Sequence, residues 1–162
     1  MIRAAILRWA QARKPDFIIG GAEDPYLRRH WLLPRNRFFN VYVHEFLRSD
    51  DDRALHDHPW LFNASWLIDG SYVEHLPGGR RRVLTAGAFK FRWGGAPHRV
   101  ELFEQLHPDP AIPAFIPERC WTVFITGPRC REWGFHCDRG WVHWKLFTAP
   151  GDKGAVGKGC DA

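Results

Sequence analysis

The run His56-Asp57-His58-Pro59-Trp60 holds the side chains best placed for chemistry in this chain. Two histidines at i and i+2 on extended backbone project to one face, about 7 Å apart along the chain. At that spacing two imidazoles can converge on one metal ion, each through a neutral ring nitrogen. Asp57, between them, points the other way. Taken alone, such a pair favours two surface or hydrogen-bonded histidines, because imidazole has ordinary polar roles as well.

Other residues could serve a pocket. Tyr42 and His44 share one face of a stretch leading to the histidine pair, where packing is the competing role. Arg82 and Arg92 could each meet an anion, since arginine holds carboxylate or phosphate bidentately. The Arg80-Arg81-Arg82 run follows a Gly-Gly turn, however, and reads as a solvated edge. Glu45, Glu74 and Glu101 are possible carboxylates that no spacing recommends. His136 and His143 could join a second polar cluster, but neighbouring residues on a strand face opposite sides, which argues against a second metal. There is no Gly-rich phosphate loop, serine nucleophile elbow or paired-carboxylate motif, so nucleotide hydrolysis and α/β-hydrolase chemistry have no support.

These side chains must be held by a scaffold of strands. Ile2, Ala5, Ile6, Trp9 and Ala12 recur at helical spacing, which predicts a short amphipathic helix over 2–13 closed by Pro15. The Asp24–Pro34 stretch is ambiguous: Asp24 could cap a helix with Pro25 at its first position, yet Pro34 ends it after about two turns. From Phe38 the pattern turns to period two. Strands are expected over 39–47, 61–68, 71–76, 81–85, 88–93, 97–103, 120–126, 132–137 and 141–147. Asp69-Gly70 reads as a hairpin turn, Pro77-Gly78-Gly79 as another, and the four prolines of His107–Pro117 as a loop. Short strands between Gly/Pro turns predict an all-β sandwich or barrel. The expected organisation is a helix and extended arm over 1–37, a β-barrel over 38–147 and a flexible Gly- and Lys-rich tail over 148–162.

Against that strand pattern, the histidines acquire a context. The chain resembles the cupin superfamily, whose fold is a double-stranded β-helix, or jelly-roll barrel. The first cupin motif sets His-x-His ahead of a glutamate and then a glycine. Here His56 and His58 match the pair, Asn63 falls where the glutamate belongs, Gly70 follows after six residues, and Asp50 stands where a leading glycine would be. The second motif, glycine, five residues, Pro-x-Gly, two residues and histidine, matches at Gly87, Gly95 and His98, with Trp93 in place of its proline. The wider string, including Pro34-Arg35-Asn36, Gly70-Ser71-Tyr72-Val73-Glu74 and Ile125-Thr126-Gly127-Pro128-Arg129, is similar to uncharacterised small cupin-like proteins of bacterial and phage genomes.

The resemblance implies that His56, His58 and His98 share one divalent metal ion inside the barrel, Fe(II) favoured and Zn, Ni or Mn possible. Asn63 would be a weak fourth ligand or the neighbour of an open coordination position. Three neutral ligands leave the ion its full charge and favour an anionic co-ligand. Thiol dioxygenases with non-haem Fe(II) are the nearest chemical precedent, although Val142-His143-Trp144 stands where their Ser-His-Tyr motif would be. The expected function is therefore a metal-binding cupin, dioxygenase-like, acting on a small anionic substrate, with Tyr42, His44, Arg82 and Arg92 as candidate substrate contacts. The alternatives are a non-enzymatic ligand-binding or assembly module and, more weakly, a metal-independent sugar isomerase or epimerase with His56 as base.

Composition bounds this reading without choosing the substrate. A chain of 162 residues with 45% hydrophobic content fits one domain with a real core. No apolar run approaches the roughly 20 residues of a membrane helix, and a cytoplasmic protein is the default expectation. Cys120, Cys130, Cys137 and Cys160 form no Cys-x-x-Cys pair and are expected to be reduced. The net charge of +5 is too small to signal nucleic-acid binding. A homodimer is possible, and nothing in the sequence fixes it.

Overall fold

The computed structural model describes residues 1–20, 23–50, 54–149 and 157–161. Its helix α1 spans Ile2–Gln11 and ends at Ala12, shortly before Pro15. Of the stripe read from the sequence only Ile6 and Trp9 meet a sheet: with Leu7 and Ala10 they pack on Val43, Ile68, Trp121 and Val123, while Ile2, Ala5 and Ala12 are exposed. Burying aliphatic side chains of this size stabilises the fold by about 1.5–3 kcal/mol each.

That sheet has six strands. In spatial order they are β1 (Phe17–Ile19), β2 (Leu27–Trp31), β3 (Asn40–Phe46), β12 (Cys120–Thr126), β5 (Phe62–Asp69) and β8 (Phe89–Trp93). Opposite it lies a sheet of β7 (Arg80–Thr85), β6 (Ser71–Leu76) and β9 (Arg99–Leu102). Leu67 of β5 and Cys120 of β12 meet Tyr72, Leu84, Val100 and Leu102 of this second sheet in a buried apolar cluster. A third sheet joins β14 (Gly140–His143), β13 (Gly134–Cys137) and the two-residue β4 (Leu55–His56). A small ribbon pairs β10 (Glu104–Leu106) with β11 (Phe115–Pro117). All ladders between strands are antiparallel, and β3 pairs with β12 from Asn40↔Thr126 to Phe46↔Cys120.

Several sequence expectations need correction. The ambiguous stretch before Pro34 is β2, because its backbone completes a ladder on β3, with Arg29 opposite His44. Asp69-Gly70 is a corner between two sheets rather than a hairpin, since β5 pairs with β8 and β12 while β6 pairs with β7 and β9. Gly70 has φ +77°, and a Cβ there would lie 2.7 Å from the Arg119 carbonyl oxygen. The expected final strand stops at His143, whose Nδ1 accepts from the Lys145 amide and opens the helical turn α2 (Trp144–Phe147). Part of the proline-rich loop, Phe115–Pro117, pairs back onto β10.

The cysteines are not all reduced. Cys137, at the end of β13, is bonded to Cys160 across 23 residues of sequence, with Cα atoms 5.6 Å apart. The turn bearing Cys160 is brought there by the Gly157 amide, which donates to the Phe147 carbonyl. No local spacing signals such a pairing. Cys120 is free and buried, and Cys130 is free and exposed. Among the described residues no helix is long and apolar enough to cross a membrane.

Candidate metal centre and its cavity

His56 ends β4, and His98 lies just ahead of β9. Their backbones exchange both hydrogen bonds, His56 N to His98 O at 2.9 Å and His98 N to His56 O at 3.0 Å. His58 is tied to the second motif by its amide, which donates to the Gly94 carbonyl at 2.8 Å. Gly94 permits this approach because a Cβ there would lie 1.7 Å from the Trp60 carbonyl oxygen. The two motifs, about forty residues apart, are thus zipped together by main-chain contacts.

The three imidazoles converge. Their centroids are 5.0–5.2 Å apart, and one donor nitrogen from each falls within 4.8 Å of the others. His58 Nε2 and His98 Nε2 approach to 2.9 Å. The nitrogens behind them face carboxylates: His98 Nδ1 lies 3.3 Å from Glu74, and His56 Nδ1 lies 3.7 Å from Asp50. A carboxylate beside Nδ1 favours the tautomer protonated there and leaves Nε2 as a lone pair. Burial holds the pKa of His58 and His98 well below the ordinary histidine value, reinforced by His56 and Arg92. Imidazoles kept neutral at His58 and His98, with ring nitrogens of all three histidines turned toward one point, are the donor set a divalent cation requires. The residues present therefore fit a metal ion.

Asp57 points away from the triad, as the alternation requires, and it is fully buried. Its carboxylate accepts from the Gly134 amide at 2.9 Å, His136 Nε2 at 3.2 Å and Trp141 Nε1 at 3.3 Å, and pairs with Arg131 at 3.0 Å. The residue between the two ligands thus fastens them to β13 and β14. His136 belongs to this anchor, whereas His143 pairs with Glu132 at 3.0 Å, so the two histidines do not form one cluster.

The triad opens on a cavity of about 350 Å³. Trp60, Phe124, Trp133 and Phe135 are among its walls, and His44 and Arg92 line it as well. Tyr42 is buried behind His44, with the two rings stacked at 5.8 Å. Arg82 is not among the lining residues: it reaches Glu74, which also contacts Arg92. Glu74 is fully buried and so gathers His98 and two guanidiniums around one carboxylate. Asn63 is fully buried opposite Arg92 and Thr126 in register, its amide has no partner in the protein, and it does not line the cavity.

Arg29 is the pocket residue that the sequence did not single out. It lines the cavity, donates from Nε to His44 Nε2 at 2.8 Å, and lies over the Tyr42 ring at 4.6 Å. Burial lowers its pKa to about 10. The bond from Arg29 also assigns the tautomer of His44, whose pKa is held well below its ordinary value by burial and by Arg29 itself. An alternating strand signal over 27–31 would have pointed Arg29 inward, but the neighbouring prolines masked it.

No protein-family model matches the sequence, and no curated protein matches it. Solved structures do. DMSP lyase DddQ from Ruegeria pomeroyi is 14% identical and has a TM-score of 0.52, over 78% of this chain and 61% of that one. An uncharacterized conserved protein with a double-stranded β-helix domain from Klebsiella pneumoniae is 18% identical, covering 73% of this chain and 90% of that one, with a TM-score of 0.49. A cupin-2 domain containing protein from Shewanella frigidimarina is 10% identical, covering 76% and 91%, with a TM-score of 0.48. The fold is an antiparallel double-stranded β-helix, similar to that of DMSP lyase DddQ.

Proposed function

We propose that this chain is a metal-dependent enzyme of the cupin fold that binds a divalent first-row ion through His56, His58 and His98 and acts on a small anionic substrate. The observation that carries the reading is the convergence of three imidazoles at one end of a lined cavity. Fe(II) is the favoured ion, with Zn, Ni or Mn compatible with the same donors. Bound iron would supply Lewis acidity and oxygen chemistry.

The protein's own groups have definable tasks. Asp50 and Glu74 stand behind the rings of His56 and His98, 3.7 and 3.3 Å from Nδ1, and orient the opposite nitrogens toward the shared point. Asp57 locks the His-x-His run to β13. Trp60, Phe124 and Phe135 exclude water from the cavity and strengthen the electrostatic interactions within it. Arg29 places positive charge in the wall and attracts an anion.

Elemental analysis of protein purified without a polyhistidine tag tests the metal. Near-stoichiometric iron that disappears in His56→Ala and His98→Ala supports the proposal, and a folded, metal-free protein indifferent to both changes overturns it. With iron present, oxygen consumption is measured against a panel of thiols and organic acids. Uptake with one of them supports the dioxygenase-like chemistry, and a flat panel favours a binding module instead.

A further inference from the structure

The cavity also carries information about its ligand, and this inference rests on reading it as the substrate site. Three carboxylates serve four neighbouring arginines: Arg28 pairs with Glu45, Arg82 and Arg92 share Glu74, and Arg99 pairs with Glu101. Arg29 differs. Among the described residues no carboxylate pairs with it, and its only hydrogen bond is the one from Nε to His44. The outer nitrogens of its fork are left without a protein acceptor, and that fork matches a carboxylate bidentately.

A line of ring faces runs from this guanidinium to the triad. His44 receives Arg29 and stacks on Phe124 at 5.0 Å, and the Phe124 centroid lies 5.8 Å from that of His58. Trp60 contacts the same Phe124 at 5.7 Å and stacks on His58 at 5.5 Å. A guanidinium with no carboxylate beside it at one end, aromatic surface between, and the three histidines at the other end select for an acid with an apolar body. The volume of about 350 Å³ lies at the small end of ligand cavities, which run from about 300 to 1,000 Å³, and suits a single ring. We propose that the cavity takes a monocarboxylate with an apolar, ring-sized body: its carboxylate on Arg29, its body over His44 and Phe124, and its far end beside His56, His58 and His98. A sugar phosphate would set a dianion and several hydroxyl groups against the rings of His44, Phe124 and Trp60.

Calorimetry on the full chain, dialysed against chelator so that metal plays no part, tests this with phenylacetate, its uncharged analogue phenylacetamide, and glucose 6-phosphate. Wild type is expected to bind phenylacetate at least about tenfold more tightly than phenylacetamide, with no measurable binding of the sugar phosphate. Arg29→Gln should abolish that preference while Arg29→Lys retains part of it. Equal binding of acid and amide, tighter binding of the sugar phosphate, no binding of either ring compound, or an unchanged preference in a folded Arg29→Gln overturns the proposal. The comparison of ligands on wild type stands even if Arg29→Gln does not fold. The two readings fail separately, because the metal content of the histidine variants is measured without these ligands.

Discussion

The two faces of the six-stranded sheet are built from alternating residues of the same strands, yet they solve opposite problems. On the outer face Val43, Ile68, Trp121 and Val123 pack under α1 in a conventional apolar contact. On the inner face of those strands stand His44, Thr122, Asn63 and Arg92, all buried and polar. Thr122, Thr126 and Asn63 have side-chain polar atoms with no partner in the protein, a cost that a purely structural core avoids. The interior becomes apolar only toward Leu67, Tyr72 and Leu102. Stability is concentrated in the outer contact and in this closed end of the barrel. The end that carries the cavity is polar.

Breaking the inner face should show most in ligand chemistry. His98→Ala is expected to lower divalent-metal affinity by more than about 100-fold, beyond the ~10–100-fold effect of losing an outer hydrogen-bond partner, in a protein whose circular dichroism is unchanged. Equilibrium metal titration checks it. The outer face should respond in the opposite sense. Ile68→Ala removes a buried side chain under α1 and is expected to cost about 2–5 kcal/mol in urea unfolding, while metal stoichiometry stays at the wild-type value.

Acidification sharpens the contrast further. Burial lowers the pKa of His30, which meets Trp9 edge-on and stacks on Trp121 on the outer side. Its folded form therefore resists a proton that the unfolded chain accepts near the ordinary histidine value, so stability falls as pH drops through and below about 6.5. Comparing urea midpoints of wild type and His30→Phe at pH 7.5 and 5.5 should show a smaller loss in the variant. Thiol labelling compares inside with outside directly: in native protein Cys130 should react and Cys120 should not, because burial pushes the Cys120 thiol well up. The smallest effect is expected at the uncovered edge of the outer face. Phe91 is 52% exposed, and Phe91→Ser should shift stability by no more than about 0.5 kcal/mol.

The histidine pair and its third member were legible because extended chain places i and i+2 on one face and because the two motifs keep their separation in sequence. The strands at 71–76 and 120–126 were legible for the same reason: alternation and turn residues are local signals. Asp69-Gly70 misled, because a turn dipeptide reports that the chain bends and not whether the strands it joins become neighbours. The Cys137–Cys160 bond, the carboxylate of Glu74 behind His98 and the arrival of Arg29 beside His44 had no local signature at all.

By itself the sequence determined the β-rich class, the N-terminal helix and the His56/His58 pair, since each depends on periodicity or spacing along one stretch of chain, while His98 entered through the resemblance of two motifs. Tertiary structure decided which charges are matched. Glu74 comes under two arginines and a histidine, whereas Arg29 is carried by β2 into the cavity without a carboxylate. Ion pairing depends on separations of a few ångströms between residues far apart in sequence, and only the register of paired strands sets those distances.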